Sequence, residues 1–145
     1  MSTSKQSTKT PKCRRDGRQS KNTKTLITDA KLLKFWRNAA IERAGYACEF
    51  PDCNVNYSQL HVHHIYHRAH VSLRYSLANA IVLCPTHHTL GGFSAHKDPT
   101  FKDRLLACGV RTPALFEALS AKRNIIQKNT QQFRDGCYQK LKNYL

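Results

Sequence analysis

The stretch Asn79-Ala80-Ile81-Val82-Leu83-Cys84-Pro85-Thr86-His87-His88 decides the fold of this chain. Ala80 to Cys84 form a short apolar run, which reads as a buried strand. Pro85 cannot extend a central strand but suits the first turn of a helix, so a short helix is expected to begin near Pro85 to His88. Upstream, residues 60–65 (Leu-His-Val-His-His-Ile) alternate in part, as a second short strand does. The expected order is therefore strand, long loop, strand, helix.

The same stretch carries two ligand-type residues three apart, Cys84 and His87. About thirty residues earlier stand Cys48 and Cys53, with four residues between them, a spacing that lets two thiolates reach one ion. Together they make a Cys3His set. Four protein ligands saturate a tetrahedral zinc, so this ion is expected to be structural. It would tie the segment before the first strand to the end of the second. Structural zinc in finger peptides contributes on the order of 10 kcal/mol to folding, a large term for so small a core. A disulfide framework is rejected for these cysteines, because the chain shows no export signal and their spacing is that of metal ligands. Cys13, Cys108 and Cys137 read as unpaired thiols without an assigned role.

All eight histidines lie between His61 and His96, and the tetrad needs only one of them. His63 and His64 are adjacent, so on an extended backbone their side chains diverge and cannot do the same job. One could bind a metal while the other faces a water. His88 follows His87 on a helical turn and points about a quarter-turn away. His61, His67 and His70 read as surface or backbone-bonding residues.

The chain has 145 residues, one domain's worth, and 40% of them are hydrophobic. No apolar run approaches the ~20 residues of a membrane span, and the N-terminus lacks the apolar core of a secretory signal. A cytoplasmic protein with no membrane partner is expected. Net charge is +15. Such an excess calls for a polyanion, nucleic acid first and an anionic membrane surface second. Residues 1–25 hold eight Lys or Arg, among them Arg14, Arg15 and Arg18, against the single acid Asp16. They read as a disordered basic tail that tracks phosphates. A helix is expected from about Asp29 to Ala44, capped by Thr28 and closed by Gly45, with Leu32, Trp36, Ala39 and Ala40 facing a core. Three more are expected beyond residue 98. The first is started by Asp98-Pro99 and closed by Gly109. The second is started by Thr112-Pro113 and runs to about Ala121. The third spans Asn124 to Tyr144, with its Arg and Lys outward.

His63-His64-Ile65, then Asn79, then His88 with eight residues between the Asn and the last His, resemble the signature of the HNH (ββα-metal) endonuclease family. The resemblance covers about residues 46–99. Arg68, Ser72-Leu73-Arg74-Tyr75 and Phe93-Ser94-Ala95-His96-Lys97-Asp98-Pro99 are further similar to phage-encoded HNH proteins, among them recombination endonucleases of the lambda NinG type. The resemblance implies an α+β fold: a small zinc-stapled ββα-metal core (46–99) with an N-terminal helix and a helical C-terminal extension (99–145), all one domain over 26–145. It implies metal-dependent hydrolysis of phosphodiesters in double-stranded or branched DNA, leaving a 5′ phosphate and a 3′ hydroxyl, in a bacterial host cytoplasm if the chain is phage-encoded. His64 would be the general base, Asn79 would hydrogen-bond across the loop, and His88 would ligate the catalytic metal. His63 would be a second ligand and His96 a third. His63 stands where many members carry Asp, and His87 where the usual fourth zinc ligand is Cys. An imidazole in place of a carboxylate shifts preference from Mg2+ toward softer ions, so Mg2+ or Mn2+ stand beside Ni2+, Co2+ or Zn2+ as candidates. Arg68 and Arg74 would clamp flanking phosphates. The rival expectation is a non-catalytic zinc module that binds nucleic acid through its basic surface. It keeps Cys48, Cys53, Cys84 and His87 but has no need of His64, Asn79 and His88. A zinc-bound interaction adaptor is disfavoured by the +15 charge.

Overall fold

The computed structural model describes residues 26–53 and 59–145. The basic tail, with Arg14, Arg15, Arg18 and Cys13, lies outside the described residues. Helix α1 spans Asp29–Arg43, and the Thr28 hydroxyl accepts from the Lys31 amide at 3.2 Å as its N-cap. It closes through Gly45 and Tyr46, both at positive φ (61° and 59°), with the Tyr46 amide returning to the Ile41 carbonyl at 3.0 Å. Glycine meets the first of these angles at no steric cost.

Strands β1 (His61–His64) and β2 (Ala80–Leu83) form a two-stranded antiparallel sheet, with His61 opposite Leu83 and His64 opposite Ala80. Both are a residue or two shorter than the stretches that suggested them. Alternation along β2 sorts the core into two layers. Ala80 and Val82 join Leu32, Trp36, Ala39 and Ala40 of α1 on one face, and Leu141 covers that layer from the chain's far end. Ile81 and Leu83 face the other way, into a cluster with Phe50, Leu73, Phe101, Leu105 and Leu119. The result is a small mixed fold of one hairpin-like sheet and flanking helices.

The C-terminal helices are α2 (Phe101–Ala107), α3 (Pro113–Arg123) and α4 (Gln131–Lys142). Thr112 and Pro113 cap α3 as N-cap and N1, the threonine hydroxyl accepting from Leu115 at 3.3 Å. Two boundaries differ from expectation. Asp98 does not cap α2; its carboxylate folds onto the Thr100 amide (2.9 Å) and hydroxyl (2.6 Å), a local turn that delays the helix to Phe101. Residues 124–130 are not helical, and α4 starts only where Thr130 accepts from the Phe133 amide at 3.2 Å. The intervening chain is tied down instead: Asn129 donates to the Asp29 carboxylate at 3.1 Å, which also accepts from Arg74 and the Tyr75 hydroxyl. These bonds hold the Asp29 carboxyl below its usual pKa although its burial works the other way.

A second polar junction closes the other end of α1. Glu49 accepts from Arg43 and from Arg111, both at 2.9 Å, and from the Val82 amide at 2.7 Å. Arg43 and Arg111 each also donate to the Ala80 carbonyl. The edge of β2 is thereby joined to α1 and to the α2–α3 link. Among the described residues no helix is long and apolar enough to cross a membrane.

Candidate metal centres

Cys48, Cys53, Cys84 and His87 converge so that their ligand atoms all lie within 4.8 Å of one another. Three elements bring them together: the turn after α1, the end of β2, and the wide helical turn Thr86–Leu90. The separations are 3.8 Å from Cys53 Sγ to Cys84 Sγ, and 3.5 and 3.3 Å from His87 Nδ1 to Cys48 Sγ and Cys84 Sγ. A tetrahedron with Zn–S near 2.3 Å and Zn–N near 2.05 Å has edges of about 3.8 Å and about 3.6 Å. The donors therefore fit one such ion, and the sulfurs are too far apart for a disulfide. Burial pushes the Cys48 thiol up to about 12, against amide donation from Cys84 and Phe50. Burial also opposes charge on Cys84, but the His87 amide, the neighbouring Cys53 and Cys48 thiols and the Thr86 amide together pull that thiol down. Amides aimed at sulfur are what a thiolate in a metal knuckle requires. The Cys/His cluster is thus suited to a structural metal. Cys108 is exposed and Cys137 half-buried, and neither joins it.

A second cluster lies on the histidine-bearing face of the sheet. His63, His88 and His96 also bring one ligand atom each within a 4.8 Å span. His88 Nε2 and His96 Nε2 are 3.1 Å apart, and the His63 and His96 rings meet nearly at right angles, 4.8 Å between centres. Nitrogens bound to one ion at about 2.1 Å, at right angles, would sit about 3.0 Å apart. Burial, then the neighbouring imidazoles, hold His63 down at about 3 and His88 at about 4, so both rings are neutral at neutral pH, the form a metal ligand needs. His88 Nδ1 is buried without a partner among the described residues. His87 and His88 are consecutive on one turn, yet each serves a different cluster. That turn is closed by the Gly91 amide on the Thr86 carbonyl at 2.8 Å, and a Cβ at Gly91 would stand 2.9 Å from that oxygen.

A cleft of about 310 Å3 opens beside this triad, lined by Val62, His63, His64, His67, Arg68, His88 and His96. His64 is the last residue of β1. Its ring stacks on Trp36, centres 4.1 Å apart and planes 14° apart, and its Nε2 lies 2.8 Å from the Arg74 carbonyl. A carbonyl can only accept, so Nε2 holds the proton and Nδ1 keeps the lone pair. Burial depresses the His64 pKa, with the Arg74 carbonyl working against that shift. Trp36 is itself fixed, its indole N–H donating to the Ser76 carbonyl at 3.0 Å.

Asn79 is fully buried one residue before β2. Its Oδ1 accepts from the Tyr66 amide at 2.8 Å, and its Nδ2 donates to the Tyr66 carbonyl at 2.9 Å and the Leu73 carbonyl at 3.4 Å. It is a clasp across the loop that joins the strands, and it touches neither cluster's ligand atoms. Asn79→Ala would orphan buried backbone groups, each costing roughly 1–3 kcal/mol. The expected outcome is a loss of about 2–4 kcal/mol in a urea titration, with metal content unchanged at low denaturant. A variant as stable as the wild type would remove the clasp role.

Arg68 is exposed at the cleft. Arg74 is not free in the same way: its guanidinium donates to Asp29 at 3.1 Å and to the Arg68 carbonyl at 2.9 Å. The Trp36 platform and the Asp29 and Glu49 junctions carry no motif legible in the sequence; only the acid's place at the start of α1 hints at the Asp29 junction. Comparison of the chain with protein-family models, curated proteins and solved structures gives no match.

Proposed function

We propose that this protein is a metal-dependent endonuclease of the HNH type that hydrolyses DNA phosphodiester bonds. The observation that carries the reading is one cleft that unites a three-histidine cluster suited to a divalent cation with a fourth, neutral imidazole whose Nδ1 is free to take a proton. A non-catalytic zinc module has use for the Cys3His cluster but none for that arrangement. The net charge of +15 suits a polyanionic substrate.

His63, His88 and His96 would hold the cation, which when bound supplies Lewis acidity to a phosphate oxygen and to the leaving group. The chain's own residues do the rest. His64 Nδ1 takes the proton as a water oxygen forms its bond to phosphorus. The P–O3′ bond then breaks with its electron pair going to the 3′ oxygen. The Trp36 stack and the Arg74 carbonyl keep the imidazole in one orientation and one tautomer. Arg68, at the cleft's rim, neutralises a neighbouring phosphate. Supercoiled plasmid incubated with the protein, with and without Mn2+ or Mg2+, tests the reading. Nicked or linear product only with metal is expected; binding without cutting under every divalent ion tried returns the protein to the non-catalytic module.

The basic segment 1–25 gives an independent expectation. Its removal should weaken duplex binding at low salt and flatten the salt dependence. The slope of log K against log salt should fall by about 0.9 for each phosphate the segment neutralises. Cleavage at saturating protein should persist, since no proposed ligand or base lies there. An unchanged slope means the segment neutralises no phosphates.

A further inference from the structure

We infer that His67, which belongs to neither metal cluster, is a hydrogen-bond donor to a phosphate oxygen of the polynucleotide bound in the cleft. The inference rests on the nuclease reading for its catalytic consequence, but its geometry stands alone. His67 is exposed and lines the same cleft as His64, His88 and His96. Its Nδ1 accepts from the Ala69 amide at 3.2 Å. An amide N–H can only donate, so Nδ1 carries the lone pair and Nε2 the proton. The ring is therefore presented as a neutral N–H donor. It is not offered as a ligand through Nδ1, which is already engaged, nor as an imidazolium acid, which could not accept from Ala69.

The turn that carries it is braced. The His70 amide returns to the His67 carbonyl at 3.0 Å. The Arg68 carbonyl accepts from Arg74 Nε, and Arg74 is anchored in turn on Asp29. Arg74 is thus a positioning residue for the turn, which shows His67 and Arg68 side by side to the cleft. Two imidazoles of opposite polarity then flank one space. His64 keeps a lone pair at Nδ1, and His67 keeps a proton at Nε2 for an anionic oxygen. A neutral donor beside a guanidinium matches a phosphodiester, whose non-bridging oxygens accept several hydrogen bonds while gaining charge during attack.

Two measurements on the full chain test this. Long-range 1H–15N correlation spectra of the imidazoles should show His67 as the Nε2–H tautomer. Its Nε2–H resonance should move on addition of a duplex oligonucleotide without divalent metal. An Nδ1–H tautomer, or no movement on binding, overturns the inference whether or not the protein cuts. In cleavage assays at saturating plasmid, His67→Ala should slow turnover about 10- to 100-fold. His67→Gln, whose amide N–H reaches the same region, should recover most of that loss. Both variants should retain wild-type metal content. Wild-type rate in the alanine variant, or no recovery with glutamine, overturns the donor role. A wild-type protein that never cuts defeats the nuclease reading instead, and the spectra then decide whether His67 meets the phosphate.

Discussion

Cys84→Ser is expected to lose one equivalent of tightly bound metal and, with it, the cooperative unfolding transition. Cys137→Ser should keep both. Cys84 stands at the junction of β2 and the turn that carries His87, within 3.8 Å of Cys53 Sγ and 3.3 Å of His87 Nδ1. The four donors come from separate segments, and Cys48 and Cys84 share one buried cluster with Phe50, whose ring stacks on His87 at 4.5 Å between centres. A structural zinc is worth on the order of 10 kcal/mol or more, comparable to the whole stability of a domain this size. A serine hydroxyl keeps its proton and is a poor zinc ligand. Burial pushes the Cys48 thiol up to about 12, so a cation beside it would favour the thiolate that burial opposes. Metal analysis after gel filtration, with circular dichroism against temperature, decides the matter. Full metal content and an unchanged transition in Cys84→Ser would refute the tetrad.

The second large effect separates the imidazoles. On the proposed nuclease reading, His64→Ala should lower cleavage by about 10²- to 10⁴-fold, the usual contribution of a positioned base, while duplex affinity stays within about twofold. His88→Ala should abolish cleavage as well, but through loss of the second metal equivalent. The first equivalent should stay in place, because His87 and not His88 faces the cysteines. The two variants therefore share a kinetic phenotype and differ in metal stoichiometry. A His64 variant that cuts at the wild-type rate sinks its role as base. A His88 variant with both equivalents still bound sinks the assignment of the triad.

The parts of the fold that the sequence makes legible are those dictated by local chemistry. Thr28 and Gly45 bracket α1, Thr112-Pro113 starts α3, and the Cys-x4-Cys and Cys-x2-His spacings identify residues that the structure gathers. The false starts have a common cause. Asp98 and Asn124 carry side chains that favour helix N-termini, but each site is also open to competing turns and long-range bonds. The Asp29 carboxylate binds residue 129, a hundred positions away, and holds that segment extended ahead of α4. Trp36 shows the limit from another direction. Its helical spacing gives a core residue correctly, and it is 3% exposed, yet nothing local tells that its second face supports the ring of His64. His67 is equally opaque from its neighbours in the chain, because its tautomer depends on a single amide two residues on.

The turn Thr86–Leu90 has a thermodynamic consequence. His87 and His88 share one hydrogen-bonded turn but face different clusters, and the Ala95 and His96 amides return to the carbonyls of these same two residues at 2.8 and 3.3 Å. Whatever fixes His87 also orients His88, and through it the segment bearing His96. If both clusters hold a cation as proposed, their occupancies would be linked equilibria, and linkage is reciprocal: a cation that tightens one would tighten the other by the same factor. On the proposed two-ion reading, a chain stripped of the ion at the cysteine cluster is expected to be a poorer receptor for a cation at the histidine cluster, even while all its imidazoles remain intact.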